Sequence, residues 1–176
     1  TEIYTLSLHD ALPISFIVTP VVSADVIIAC RERSVPVIAG ALTPSEIYGA
    51  WTLGADMVKV FPANQFGPGY LKDLKGPLPQ IRLMPTGGVD SSTLGEFYSA
   101  GASAFGVGGA LFSTAIVAAA SWDKVEDGAR SLVQADRSAS GGGCWSWILT
   151  IPGTNTPPAI AKRTSGISAR SRSSRG

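Results

Sequence analysis

The chain has 176 residues, of which 45% are hydrophobic and 15% charged, with 20 glycines, 12 prolines and 2 cysteines. This composition excludes a highly charged disordered chain and a collagen-like chain, and two cysteines are too few for a disulfide framework. The formal net charge of +1 hides two unlike parts of the chain. Residues 137–176 hold six basic residues and no acidic one, whereas residues 1–136 hold more acidic than basic residues.

Residues 1–15, TEIYTLSLHDALPIS, resemble the in-frame translation of a common sequencing-library adaptor over the residues before Ser15. They lack the basic start and the continuous apolar run of a signal peptide. We therefore expect an adaptor-derived segment with no natural fold. The only histidine, His9, lies in it and is not a candidate general base. No apolar run in the chain is long enough to predict a membrane span.

From residue 16 onward, short apolar segments alternate with helical patterns. The predicted strands cover residues 16–19, 35–39, 57–61, 81–85 and 104–107. The first predicted helix follows a cap at Ser23, and the second follows a capping box that starts at Thr43. The other predicted helices cover residues 70–75, 91–100 and 111 to about 135, the last in one or two pieces. Five βα units in succession predict a parallel sheet covered by helices, either open or closed into a barrel.

The last part of the chain, residues 137–176, keeps no helical or strand periodicity. Its basic residues could form an arm for nucleic acid or acidic lipid. However, it lacks the interleaved aromatic and basic residues of a nucleic-acid platform, so we favour a disordered or out-of-frame extension. The predicted organisation is therefore an adaptor-derived segment at 1–15, an α/β domain at 16–136 and a basic tail at 137–176.

Lys59 is the strongest candidate for chemistry. Strand alternation puts Met57, Lys59 and Phe61 on one face of the strand at 57–61. Burial lowers the pKa of a lysine and leaves free amine near neutral pH, which a Schiff-base nucleophile needs. The alternative is an edge-strand lysine whose ammonium group reaches water.

Two glycine-rich turns follow the last two predicted strands, at Gly87-Gly88 and at Gly108-Gly109. Backbone N–H groups in such turns can converge on an anion, and barrels often bind phosphate through their last two βα loops. Glycine also serves ordinary tight turns, so a single turn of this kind would be a weak signal. Two of them in consecutive βα units favour a phosphate site.

These motifs together resemble the 2-keto-3-deoxy-6-phosphogluconate / 4-hydroxy-2-oxoglutarate aldolase family. The run GADMVKVFPA at residues 54–63, followed by Gly67, is similar to the Schiff-base lysine signature of that family. The family usually has Leu or Phe where this chain has Val60. The likeness extends from residue 16 to about 135 and includes the runs at 16–20, 37–40, 83–88 and 106–109.

The resemblance implies an α/β fold, a partial (β/α)8 TIM barrel that comprises strands 4 to 8 with their helices. It implies a class I aldolase that needs no metal and no cofactor, and that cleaves 2-dehydro-3-deoxy-6-phosphogluconate to pyruvate and glyceraldehyde 3-phosphate. Lys59 would form the imine, Pro20 and Phe61 would line the pocket, and Thr86 would contact substrate. The implied phosphate-binding residues are Gly87, Gly88, Gly108 and Gly109.

The resemblance also implies a cytoplasmic homotrimer that binds a phosphorylated keto acid and has no nucleic-acid or membrane partner. The catalytic Glu and the carboxylate-binding Arg of the family belong to three preceding βα units, and Arg31 and Arg33, on a predicted helix, are not substitutes. We therefore expect this chain to be impaired in aldol cleavage. The alternative is a non-catalytic half-barrel that binds a sugar phosphate, in which Lys59 contributes only charge.

Overall fold

The computed structural model describes residues 15–140, which form a parallel sheet in the order β1-β2-β3-β4 with helices between the strands. The strands are β1 (Ile17–Val18), β2 (Val37–Ala41), β3 (Met57–Val60) and β4 (Leu83–Pro85). The helices are α1 (Ala24–Glu32), α2 (Pro44–Leu53), α3 (Gly67–Lys75), α4 (Leu94–Ser99), α5 (Thr114–Ala118) and α6 (Trp122–Ser140), with a short 3-10 helix at Ala63–Gln65. The predicted α/β class is confirmed. The adaptor-derived segment up to residue 14 and the tail from residue 141 lie outside the described residues.

The sheet buries both of its faces, as the unbroken apolar strands predict. One face carries Val37, Val58 and Leu83 and packs against the helices in the main core. The other face carries a smaller cluster of Ile38, Met57, Met84 and Ala104. Successive residues therefore point to opposite sides, and the second face is the one that would line the interior of a barrel.

The predicted fifth strand, at residues 104–107, is reduced to one isolated bridge at Gly106. The Ser103 N–H donates to the Leu83 carbonyl (2.8 Å), and the Gly106 N–H donates to the Pro85 carbonyl (2.9 Å). In a parallel ladder, successive hydrogen bonds advance by two residues on each strand. Here the two acceptors on β4 are two residues apart, whereas the two donors on the neighbouring segment are three residues apart, so that segment contains one extra residue. Pro85 also has no N–H to donate back, so the ladder cannot continue.

Two helices begin later than the sequence predicts, because a polar side chain closes a turn before each of them. The Asp90 carboxylate accepts the N–H groups of Ser92 (2.8 Å) and Thr93 (3.0 Å), and α4 begins only at Leu94 instead of residue 91. The Ser113 hydroxyl caps α5, which begins at residue 114 instead of 111. The final helical region has two pieces, and α6 continues to residue 140, four residues past the predicted domain boundary.

The start and the end of α2 confirm the predicted capping signals. The Thr43 hydroxyl accepts the Glu46 N–H, and the Glu46 carboxylate accepts the Thr43 N–H (2.8 Å), which completes the capping box. Gly54 ends the helix in the left-handed region at φ 101°. A Cβ there would meet only the far end of the flexible Arg31 side chain, which can move, so it is the left-handed conformation that requires glycine.

Replacing Thr43 with Ala is expected to lower the free energy of unfolding by about 1 kcal/mol near neutral pH. The backbone N–H groups of Thr43 and Leu42 hold the pKa of Glu46 below its ordinary 4.5. Because that pKa is lower in the folded chain, the contribution of Glu46 is present above pH 4.5 and is lost as the pH falls through the lowered value. Denaturant titrations at neutral and acidic pH check this. Ser45→Ala is the control for Thr43→Ala, and Glu46→Gln tests the pH dependence: it should lose more stability at neutral than at acidic pH, and equal loss at both pH values in Glu46→Gln would contradict the expectation.

Within residues 15–140, none of the helices combines the length and the apolar character that a membrane span requires.

Candidate active site

The carboxyl ends of the strands meet at one edge of the sheet, and the predicted site residues follow those ends. Pro20 comes just after β1, Lys59 and Phe61 lie at the end of β3, and Thr86 follows β4. In barrel enzymes this edge carries the active site, whereas the opposite edge contributes to stability. The fold therefore places the candidate residues where parallel α/β proteins bind substrates.

Lys59 is half-buried in the middle of the sheet rather than on an edge strand. It pairs with Gly40 on β2 and with Met84 on β4, so the three residues form one row across the sheet. The Lys59 Nζ lies 4.6 Å from the centre of the Phe61 ring. Burial lowers the pKa of Lys59 below its ordinary 10.5, which increases the fraction of neutral amine.

Phe61, which contacts the half-buried Lys59, keeps 42% of its own surface accessible. Its ring contact with the Lys59 ammonium is a cation–π interaction, which favours the charged form and opposes the effect of burial. Burial acts in the opposite direction and lowers the pKa of Lys59. The contact confirms that Lys59 and Phe61 share one face of the chain, as alternation predicts.

Pro20 lies beside the row of Lys59 because Gly40 has no side chain. A Cβ built on Gly40 would fall 2.3 Å from the Pro20 carbonyl carbon and carbonyl oxygen. The Thr19 hydroxyl fixes this approach, since it donates to the Val21 carbonyl (2.7 Å) and accepts the Gly40 N–H (3.3 Å). The buried Thr19, which sequence reasoning missed, thus positions the predicted pocket residue.

Thr86 connects three segments at the carboxyl edge. Its N–H donates to the Val60 carbonyl (3.0 Å), and its carbonyl accepts the Ala63 N–H (2.8 Å). Its side chain lies over Gly106, where a Cβ would fall 2.1 Å from the Thr86 hydroxyl oxygen. Gly106 is therefore required by the threonine that the resemblance assigns to substrate contact.

The Gly87-Gly88 turn packs against the loop that follows Lys59. Both glycines have positive φ, 90° and 72°. A Cβ on Gly87 would meet Asn64 Oδ1 at 3.5 Å and the Phe61 ring at 3.6 Å, and one on Gly88 would meet Asn64 Cβ at 2.5 Å. The contacts link Lys59, Phe61 and the first glycine turn into one site. Asn64 was not singled out by the sequence, since no motif marks it.

The second glycine turn is more open. A Cβ built on Gly108 or Gly109 would meet no atom within 4 Å. The Gly108 carbonyl accepts the N–H groups of Leu111 (3.0 Å) and Phe112 (2.9 Å), which closes a turn ahead of α5. Neither glycine turn leads directly into a helix, so any anion site here would use the loop N–H groups rather than a helix end.

The part of the chain that the structure describes contains no group of three His, Cys, Asp or Glu residues placed to hold a metal ion. Its one described cysteine, Cys30, is free and buried in the core away from the carboxyl edge. The chemistry that this edge offers is therefore that of an amine, a hydroxyl, an aromatic ring and backbone N–H groups.

The parallel sheet with helices between its strands places the chain in the class of α/β proteins that contain part of a TIM-type barrel, and a half-buried lysine lies at the carboxyl edge of that sheet. Comparison with known proteins identifies the family within this class. A family model described as KDPG and KHG aldolase matches residues 7–127, a range that includes part of the segment at 1–15. The chain belongs to the KDPG and KHG aldolase family.

Individual relatives agree with this assignment. The chain is 37% identical to a 2-dehydro-3-deoxy-phosphogluconate aldolase of Pseudomonas aeruginosa over 64% of its own length and 51% of that protein. It is 34% identical to a 2-dehydro-3-deoxy-6-phosphogalactonate aldolase of Escherichia coli over 70% of its own length and 58% of that protein. A solved structure described as native KDPGal matches with a TM-score of 0.67 at 32% identity, over 72% of this chain and 60% of that one. The chain thus spans between half and two thirds of the length of these relatives.

Proposed function

We propose that Lys59 forms an imine with a 2-keto acid, and that the substrate is a phosphorylated 2-keto-3-deoxy acid. The observation that supports this proposal best is the position of the lysine. Lys59 lies half-buried in a central strand, at the carboxyl edge of the sheet and against Phe61, in a member of an aldolase family. The resemblance favours 2-dehydro-3-deoxy-6-phosphogluconate, and the galactonate analogue is the substrate class of one relative.

In the proposed reaction, the neutral Lys59 amine attacks the C2 carbonyl carbon of the keto acid, and loss of water gives the imine. The protonated imine then accepts the electron pair of the C3–C4 bond while the C4 hydroxyl gives its proton to water, so that bond breaks and glyceraldehyde 3-phosphate leaves as the C4 carbonyl forms. Protonation of the resulting enamine at C3 and hydrolysis release pyruvate and regenerate the amine. Burial supports the first step, because it raises the fraction of Lys59 that is uncharged.

Gly87, Gly88, Gly108 and Gly109 are proposed to hold the phosphoryl group through their backbone N–H groups. Within residues 15–140, no hydrogen bond uses the N–H of Gly88, Gly108 or Gly109. Pro20 and Thr86 complete the proposed pocket beside Lys59. This glycine geometry would also suit the alternative, a sugar-phosphate-binding protein without imine chemistry.

Because the chain spans only part of its relatives, the complete cleavage reaction, the homotrimer and the cytoplasmic location belong to the proposal as implications of the family. Imine formation is the step that the described residues themselves support. Size-exclusion chromatography with light scattering would test the trimer separately from the chemistry.

Treatment with pyruvate and borohydride is expected to attach one reduced pyruvate per chain. Lys59→Ala should lose this product, because no other described lysine lies at the carboxyl edge beside Phe61. Lys72→Ala is the matched control, since Lys72 is an exposed lysine on α3, and it should keep the full yield. Equal yield in Lys59→Ala would contradict the proposal. Stabilisation by phosphate without any trapped product would favour the binding protein.

A further inference from the structure

Asn64 lies directly across the first glycine turn. It belongs to the 3-10 helix Ala63–Gln65, immediately after the strand that carries Lys59. A Cβ on Gly88 would fall 2.5 Å from Asn64 Cβ and 3.3 Å from Asn64 Cα, and a Cβ on Gly87 would fall 3.5 Å from Asn64 Oδ1. The side chain therefore covers both glycines while it stays exposed to solvent.

The backbone around Asn64 is fixed relative to that turn. The Ala63 N–H donates to the Thr86 carbonyl (2.8 Å), which joins the residue before Asn64 to the residue before Gly87. The Phe66 N–H donates back to the Ala63 carbonyl (3.3 Å), which closes the 3-10 helix. A ligand held by the glycine turn would consequently meet the Asn64 side chain at a constant position.

The Asn64 carboxamide is available for a ligand. Among the residues that the structure describes, none forms a hydrogen bond with it. A carboxamide supplies two N–H donors, and its accepting oxygen points toward Gly87 in the arrangement described. Rotation about the last side-chain bond exchanges the oxygen and the amino group at little cost, because that bond has no steep preference.

We propose that Asn64 is a phosphate-binding residue whose carboxamide N–H donates to the phosphoryl oxygens held by the turn at Gly87 and Gly88. This inference rests on the proposed function and adds to it a side chain that recognises the phosphorylated end of the substrate. A neutral donor at this position attracts a phosphoryl group, whereas a carboxylate of the same shape would repel it. Asn64→Asp is therefore the sharpest substitution.

Calorimetric titration with glycerol 3-phosphate, and with glycerol as the unphosphorylated control ligand, tests the proposal on the full chain. Asn64→Ala is expected to weaken binding of glycerol 3-phosphate about tenfold, and Asn64→Asp more than that, because a hydrogen bond to a charged group is lost and a like charge is added. Gln65→Ala is the matched control, since Gln65 is the next exposed carboxamide of the same 3-10 helix. It should bind as the unsubstituted chain does.

Pyruvate trapping at Lys59 separates this inference from the proposed function, because pyruvate has no phosphoryl group. All Asn64 variants should trap pyruvate at the unsubstituted yield, which shows that the loss is specific to the phosphoryl group rather than structural. If Asn64→Asp binds glycerol 3-phosphate as well as the unsubstituted chain does, and still traps pyruvate, the proposed role of Asn64 is wrong. Failure of the unsubstituted chain to trap pyruvate would instead count against the proposed function.

Discussion

Replacing Gly40 with Ala is expected to lower the free energy of unfolding by about 2–4 kcal/mol and to slow imine formation at Lys59. The added methyl group would fall 2.3 Å from the Pro20 carbonyl carbon and oxygen and 2.6 Å from the Thr19 carbonyl oxygen. These are backbone atoms, so they cannot rotate away as a flexible side chain could. Relief requires β1 and β2 to separate, which breaks the bond from the Gly40 N–H to the Thr19 hydroxyl.

The effect on chemistry follows from the sheet register. Gly40 is the direct neighbour of Lys59, so a displaced Pro20 would change the wall beside the amine. Gly49→Ala is the control, because Gly49 lies inside α2 and an added Cβ there would meet nothing within 4 Å. That change should stabilise the chain by up to about 1 kcal/mol. Denaturant titration measures both variants, and a Gly40→Ala chain as stable as the unsubstituted one would contradict the packing described.

Replacing Lys59 with Met is expected to abolish pyruvate trapping completely and yet to raise the free energy of unfolding near neutral pH, by less than about 1 kcal/mol because solvent screens the half-exposed ammonium group. The row of Lys59 already contains Met84, and Met57 lies on the same face, so a thioether fits the surroundings. Burial lowers the pKa of Lys59, which means that folding disfavours its charged form. Removing the charge removes that penalty together with the nucleophile.

The stability difference between Lys59→Met and the unsubstituted chain should depend on pH in a defined direction. The pKa of Lys59 is lower in the folded chain than its ordinary 10.5. The free-energy cost of burying the ammonium group therefore has its full value below the folded pKa and disappears as the pH rises toward 10.5. The advantage of Lys59→Met over the unsubstituted chain should therefore shrink in alkaline buffer. Lys72→Met, at an exposed position on α3, is the control variant. A loss of stability in Lys59→Met at neutral pH would show that the ammonium group contributes net stability through Phe61.

Local signals in the sequence predicted the elements that depend on neighbouring residues. The run from Thr43 to Glu46 predicted a capping box, and Gly54 predicted the end of the helix, because both depend on a few consecutive residues. Alternation around Lys59 predicted that its side chain faces Phe61, which the 4.6 Å ring contact confirms. Such features need no knowledge of distant segments.

Features that depend on distant segments were not predictable. The segment at 104–107 has a strand-like composition, but its pairing fails because Pro85 on the neighbouring strand lacks an N–H and because the register contains an extra residue. Thr19 and Asn64 have ordinary local sequences, and their roles arise only where β1 meets Gly40 and where the 3-10 helix meets Gly88. The late start of α4 has a local cause, the Asp90 side chain, which could have been recognised.

The measurement that tests the central claim most directly is a peptide map of the full chain after treatment with pyruvate and borohydride. A reduced pyruvate on Lys59 blocks tryptic cleavage there, so we expect one modified peptide that spans residues 34–72, and unmodified peptides at Lys72 and Lys75. Lys75 is an informative internal control, because burial lowers its pKa as well, while its ammonium group donates to the Ile81 carbonyl (2.7 Å) away from the carboxyl edge. Modification confined to Lys59 is the result that the structure predicts. Modification spread over the lysines, or confined to one other than Lys59, would contradict it.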